Sequence, residues 1–235
     1  MLLINKLNGE PEIFQSIQGE GRSMGEPAAF VRLKHCNLAC VWCDSKDAWD
    51  PSCSLNEGTV KMTIQEVVDL VESFDWKDKQ KRVVVTGGEP LLQKECIQLL
   101  SEFKHNGYIV EIEDNATLNP EEWLPYVDLW NSSPKLASSG NSDITRRNIL
   151  ALKTLVESKK AIFKFVITSE DDLKEILELQ ELAGIPNEMI WLMPEGYTKE
   201  SLEQSTPIAE KIAKEHGWVI ARRLHIELFG SKRGV

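Results

Sequence analysis

The chain has 235 residues, 42% of them hydrophobic, with 27 Lys and Arg against 37 Asp and Glu, for a formal net charge of −10. That balance excludes a general nucleic-acid or membrane surface, which needs clustered cations, and leaves enough apolar material for a sizeable core. No apolar run approaches the roughly 18 residues of a membrane span, the N-terminus lacks a secretory pattern, and five cysteines, three of them crowded together, do not make a disulfide framework.

A soluble, cytoplasmic, single-domain protein over 1–235 is therefore expected. Residues 1–27 are polar and glycine-rich around "FQSIQGEGRSMGEP" and read as a surface loop ahead of the main body, 28–235. "AAFVRL", 28–33, is a short apolar strand that delivers the chain into "CNLACVWC", 36–43. Residues 44–62 read as loop, and Thr63 with Glu66 forms a capping-box pattern before the helical "VVDLVESF". "RVVVT" is a strand of buried type that ends at Gly87–Gly88–Glu89–Pro90. The helix "LLQKECIQLLSEFKH" follows, with Gly107 as its stop.

"YIVEIED" is the next strand, and a helix is expected to start near Pro120. "VDLWNSS" and "AIFKFVIT" are strands on either side of a helical stretch at 146–158. Ser169, with Asp172 three positions later, caps the helix "EDDLKEILELQELAG". "EMIWLMP" is a strand, "TPIAEKIAKEHG" a helix closed by Gly217, and "WVIARRLHI" a last strand. This alternation predicts an α/β fold with parallel strands and outer helices. Six or seven βα units fall short of the eight that close a standard barrel. Reactive groups in such folds lie at the C-terminal ends of strands. The cysteine loop, "TGGEP", "EDNAT", "NSSPK" and "LMPEG" all follow strands and should converge on one mouth. The pairs Arg146–Arg147 and Arg222–Arg223 are expected on a solvated face or beside carboxylates.

Cys36, Cys40 and Cys43 carry the most specific signal, a C-x3-C-x2-C spacing. Thiolates are soft ligands suited to zinc or an iron–sulfur cluster. A structural zinc site and a fully protected cubane each call for four protein ligands. Three thiolates suggest a cubane with one iron left open, although a metal that only braces the fold fits the same spacing. Cys53 and Cys96 read as ordinary residues, since free cysteine behaves as a small hydrophobe. Gly87–Gly88 at a strand end exposes backbone groups, with the Glu89 carboxylate nearby.

The cysteine spacing resembles that of the radical S-adenosylmethionine (SAM) enzymes, and "GGE" resembles their segment for the methionine ammonium. "FQSIQGEG", "PAAFVRL", the cysteine loop with "CDS", and "TGGEPLLQ" together resemble the 7-carboxy-7-deazaguanine synthase family. The likeness is strongest over 12–47 and 83–93, continues through "EDNAT" and "NSSPK", and is faint over "LMPEG" and "RLHIELFG". It implies a modified, incomplete (βα) barrel. It also implies a lyase of queuosine-type biosynthesis that converts 6-carboxy-5,6,7,8-tetrahydropterin to 7-carboxy-7-deazaguanine and ammonia, after a 5′-deoxyadenosyl radical takes hydrogen from C6. The implied cofactors are a 4Fe–4S cluster on Cys36, Cys40 and Cys43, SAM, and Mg2+. The implied partners are the pterin, an electron donor such as flavodoxin or ferredoxin, and a second copy in a homodimer, with no nucleic acid and no membrane.

By the same resemblance, Ile17, Gln18, Gly19, Glu20, Arg32 and Thr86 bind substrate, with Arg32 clamping its carboxylate. Gly88, Glu89, Glu113, Asn115, Ser133, Pro134, Lys135, Met193, Pro194, Glu195 and Gly196 bind SAM. No side chain is assigned as catalytic, because the radical arises on the cofactor. Ser45 stands where the family commonly has a threonine for magnesium, and Met193 where relatives have glutamine; Ala116 also departs from the pattern. Read from the residue alone, Arg32 on an apolar strand is equally a buried ion-pair partner, and His225 equally a structural histidine. A glycyl-radical-enzyme activase and a non-catalytic zinc or iron–sulfur binding protein are the alternatives.

Overall fold

In the computed structural model, which describes residues 1–77 and 79–235, the chain opens with strands rather than a loop. β1 (Leu2–Leu7) pairs antiparallel with β2 (Glu10–Pro11), and β3 (Ile13–Ile17) pairs antiparallel with β4 (Pro27–Leu33). The expectation of a loop over 1–27 thus holds only for 18–26. The strands are too short to announce themselves by alternation, and pairing with distant partners makes them: Leu2 and Ile4, both fully buried, lie opposite Met62 and Val60 of β5 (Thr59–Met62).

After β5 come α1 (Ile64–Glu72), β6 (Arg82–Gly87), α2 (Cys96–His105), β7 (Ile109–Asp114) and β8 (Leu129–Ser132). The chain continues through α3 (Asp143–Arg146), α4 (Ile149–Ser158), β9 (Ala161–Ile167), α5 (Asp172–Ala183) and β10 (Ile190–Pro194). It ends with α6 (Lys199–His216), β11 (Val219–Ile220) and α7 (Leu224–Phe229). The sheet runs β11-β10-β9-β8-β7-β6-β4-β1-β2, with β3 added on β4 and β5 on β1. Neighbours from β4 through β11 are parallel, which gives the seven-strand upper limit of the expected count. The end strands β11 and β2 do not meet, so the sheet stays open. No helix among the described residues is long and apolar enough to cross a membrane.

The local expectations divide by how much distant contact decides them. Thr63 and Glu66 make the full capping box on α1, a local motif. At α5 the expected cap at Ser169 is corrected: Asp171 stands at the N-cap without a side-chain cap bond, and the Asp172 carboxylate accepts from the Thr168 and Ser169 N–H groups, at 2.8 and 3.1 Å. The helix expected near Pro120 is a 3-10 turn, Glu121–Tyr126, with Pro125 inside it. The helix expected over 146–158 is split between α3 and α4, and α6 starts seven residues earlier than expected. The last strand is corrected most: only Val219–Ile220 joins the sheet, because Arg222 and Arg223 turn away to carboxylates and α7 follows.

Alternation along the strands sorts the sheet into two faces. Val31, Val83, Val85, Ile112, Phe163 and Leu192 point outward into the core shared with the helices. The intervening positions face inward, and cross-strand register pairs Arg32 with Thr86, Glu113 with Asn131, and Val166 with Met193. At the C-terminal edge, Gly87 and Gly88 lie directly under the segment that enters the cysteines. Leu33 O accepts the Gly88 N–H at 3.2 Å, and His35 O accepts the Glu89 N–H at 2.7 Å. A Cβ on Gly88 would collide with the His35 carbonyl, a backbone group that cannot step aside. Gly88→Ala should therefore destabilise the protein by about 1–3 kcal/mol and lower iron retained after anaerobic reconstitution, as read by thermal melts and iron analysis. Wild-type values for both would contradict this seat.

Candidate functional site

A cavity of about 690 Å³ opens at the C-terminal ends of the parallel strands. Of the residues singled out from the sequence, Ile17, Gln18, Gly19, Glu20, Arg32, Ser45, Thr86, Gly88, Glu113, Asn115, Ser133, Lys135, Met193, Glu195 and Gly196 line it, together with the three clustered cysteines. Glu89, Pro134 and Pro194 do not. Glu89 is fully buried and used internally, where its carboxylate accepts the Leu91 N–H at 2.9 Å and the Asn115 N–H at 2.8 Å.

The three thiols line one wall of the cavity, each with a nitrogen donor. The Leu38 N–H approaches Cys36 Sγ at 3.4 Å, Asn141 Nδ2 approaches Cys40 Sγ at 3.2 Å, and Trp49 Nε1 approaches Cys43 Sγ at 3.4 Å. Among the described residues, no three His, Cys, Asp or Glu side chains meet around a single point. The donor set fits an iron–sulfur cluster, whose sulfur ligands are tuned by such hydrogen bonds. Burial pushes the Cys36 thiol up to about 11 and raises Cys40 as well, so metal loading must expel protons. Lys135 stands over the Trp42 ring at 5.6 Å, and its Nζ donates to Ser133 Oγ at 2.6 Å.

The substrate residues named from the sequence fall into two groups. The Gln18 side chain, 1% exposed, is engaged by the protein: Nε2 donates to Glu111 at 2.8 Å and to Glu113 at 3.3 Å, while Oε1 accepts the Glu20 N–H at 3.1 Å. Both ends of the amide expected to read a ligand edge are thus hydrogen-bonded within the protein. Glu20 is likewise engaged, by Lys164 and by Arg223 Nε at 2.9 Å. Burial works to raise its carboxyl, but those cations outweigh it and hold Glu20 well below the usual carboxylate range. Glu113, expected on the SAM side, accepts from Thr86 Oγ1 at 2.9 Å and from Gln18, two residues expected to bind substrate.

Arg32 makes the ion pair that one of its sequence readings expects, and it also lines the cavity. Nε donates to Glu12 at 2.9 Å, while among the described residues no hydrogen bond occupies Nη1 or Nη2. Half of the guanidinium is an ion pair and the other half is free at the cavity. Asp44 is held below its ordinary range by Arg223 against the opposing effect of burial, and Ser45 Oγ lies 3.6 Å from Cys43 Sγ, within hydrogen-bond contact of that thiol. His225 lines the cavity with its ring against Gly19, where any side chain would collide with it, and Gly19 O accepts the Leu224 N–H at 2.9 Å.

Sequence reasoning missed Glu12, Glu111, Lys164, Arg223 and the segment 230–235, which also lines the cavity. Lys164 in "AIFKFVI" and Glu111 in "IVEIED" were visible as lone charges in buried strands. Nothing local marked 230–235, whose Arg233 reaches back to Glu12 and Asp47 at 3.2 and 2.7 Å. The Arg146–Arg147 pair meets Glu175, as the carboxylate-paired alternative required.

Glu89 and Asp114 form a buried acid pair. Burial and their mutual repulsion push Glu89 up to about 8, and burial pushes Asp114 up to about 6. The folded state thus keeps protons that the unfolded chain releases, a stabilisation complete below about pH 4 and lost as pH rises through both values. The metal-free protein should melt at progressively lower temperature from about pH 5 to 8, with Glu89→Gln flattening the slope. A flat wild-type profile would contradict the pairing.

The family model of the radical SAM superfamily matches residues 31–131. Curated relatives named 7-carboxy-7-deazaguanine synthase are similar over nearly the whole chain. The one from Halobacterium salinarum is 34% identical over 93% of this chain and 89% of its own. The one from Rhodopirellula baltica is 36% identical over 95% and 87%, and that from Pyrobaculum aerophilum 34% over 95% of each. Among solved structures, QueE from Escherichia coli superposes with a TM-score of 0.71 at 22% identity, over 95% of this chain and 94% of that one. SAM-bound SuiB from Streptococcus suis shares the fold at a TM-score of 0.54 and 14% identity, over 79% and 47%.

Proposed function

This chain belongs to the 7-carboxy-7-deazaguanine synthase family of radical SAM enzymes, and on that premise we propose how its own residues convert 6-carboxy-5,6,7,8-tetrahydropterin to 7-carboxy-7-deazaguanine and ammonia. Cys36, Cys40 and Cys43 hold a 4Fe–4S cluster, and Gly88, Asn115, Ser133, Lys135, Met193, Glu195 and Gly196 line the side of the cavity for SAM. When bound, the cluster and SAM supply hydrogen-atom abstraction at pterin C6. The protein's task is to hold the pterin still and dry beside them.

The single observation that carries the substrate assignment is the half-engaged Arg32. Glu12 fixes its Nε and so aims the guanidinium, while the two free nitrogens offer the bidentate face that suits a carboxylate. The Ile17–Gly19 backbone, Thr86 and Glu113 surround the remaining edge of the ring, with Gln18 and Glu20 as struts. Ser45 Oγ offers a ligand to Mg2+, which favours oxygen and shares its shell with substrate. A flavodoxin- or ferredoxin-type donor, a homodimer and a cytoplasmic location belong to the same proposal.

Reconstituted protein, incubated anaerobically with SAM, reductant, Mg2+ and the pterin, should yield the 7-carboxy-7-deazaguanine mass without net loss of SAM. Accumulation of 5′-deoxyadenosine with no such product would overturn the substrate. Arg32→Ala should keep its iron but raise KM for the pterin by about 10- to 100-fold, the worth of a charged hydrogen-bond pair. An unchanged KM would remove the clamp. Cys40→Ala should lose the cluster's visible absorbance together with all turnover.

A further inference from the structure

Arg32, Arg223 and Arg233 all line the cavity, and Arg223 differs from Arg32 in having every guanidinium nitrogen engaged by protein. Its Nε donates to Glu20 in the 18–26 loop, Nη1 to the Gly196 carbonyl after β10, and Nη2 to Asp44, the residue after Cys43. The other oxygen of Glu20 accepts from Lys164 of β9. Two cations and two carboxylates therefore balance in a cluster whose Arg223 is only 8% exposed. The three acceptors of Arg223 lie on three separate segments, which carry the pterin loop, the cluster loop and the SAM turn of the functional assignment above.

We propose that Arg223 is a positioning residue that fixes the pterin loop, the cluster loop and the SAM turn relative to one another, so that its guanidinium sets the approach of the two ligands. It rests on the functional assignment of the cavity. The geometry supports this over direct ligand binding, because a guanidinium with all three nitrogens engaged has little left to offer a ligand, whereas Arg32 has its fork free. Hydrogen transfer between two separately held molecules is unusually sensitive to such mutual placement, where an ångström can cost about a hundred-fold in rate. Lysine cannot replace it, since one ammonium on a flexible stem does not reproduce a planar three-way fork.

The test compares wild type, Arg223→Lys and Glu20→Gln as cluster-reconstituted holoenzymes, with SAM affinity read by calorimetry and pterin affinity by fluorescence, alongside the ratio of 5′-deoxyadenosine to product. Arg223→Lys should retain its iron, bind each ligand at least about ten-fold more weakly, and release 5′-deoxyadenosine uncoupled from product. Glu20→Gln neutralises the carboxylate that Arg223 and Lys164 share on the pterin loop, leaves the arms to Asp44 and Gly196 in place, and should weaken pterin binding while leaving SAM affinity within about two-fold. Wild-type affinities in Arg223→Lys, or loss of one ligand alone, would overturn the inference. If that variant fails to hold its cluster, the second decides: equal loss of both ligands in Glu20→Gln overturns it as well. Wild-type holoenzyme that binds no pterin would instead overturn the functional assignment, and this inference with it.

Discussion

A charge inside a protein must be paired, and the inner face of this sheet carries several: Arg32, Arg82, Glu111, Glu113 and Lys164. Their needs draw the rest of the chain into place. Glu12 comes to Arg32, Gln18 and Ser23 come to Glu111, and Glu20 comes to Lys164. Arg223 follows Glu20, and Arg233 follows Glu12. The loops that close over the strand ends are thus tied there by charges on the strands, of which Arg82 and Glu111 also pair with each other. Such arrangements give register and specificity more readily than net stability.

The same rule separates support from chemistry. Side chains whose polar atoms are all engaged, such as Gln18, Glu20 and Arg223, define the shape of the cavity. Arg32 Nη1 and Nη2, which have no hydrogen bond among the described residues, are groups a ligand can meet. A carboxylate is what that free guanidinium edge suits, and residues of the 18–26 loop, α7 and 230–235 line the cavity beside it.

Much of this was legible before any coordinates. The parallel strands announced themselves as buried β-branched runs, the Thr63–Glu66 box as a local pattern, and the strand-end motifs as a convergent mouth. What stayed hidden depended on distance along the chain. β1 and β5 make each other from segments some sixty residues apart, and neither carries enough alternation to be seen alone. Arg223 read as the middle of a strand, because its reason to leave the sheet, Glu20, lies two hundred residues earlier. Gln18 and Glu20 were identified as site residues from a motif that does not distinguish a group touching the ligand from one that holds the loop. Lone charges such as Lys164 and Glu111 within buried strands were the unused signal.

The most direct test of a cavity that holds SAM and pterin together is the hydrogen itself. Pterin deuterated at C6 should, during anaerobic turnover by the wild-type holoenzyme, pass deuterium into recovered SAM as 7-carboxy-7-deazaguanine forms. Product formed with no deuterium ever reaching SAM or 5′-deoxyadenosine would contradict the account, because hydrogen would then leave C6 by a route that does not require the two ligands to share this cavity.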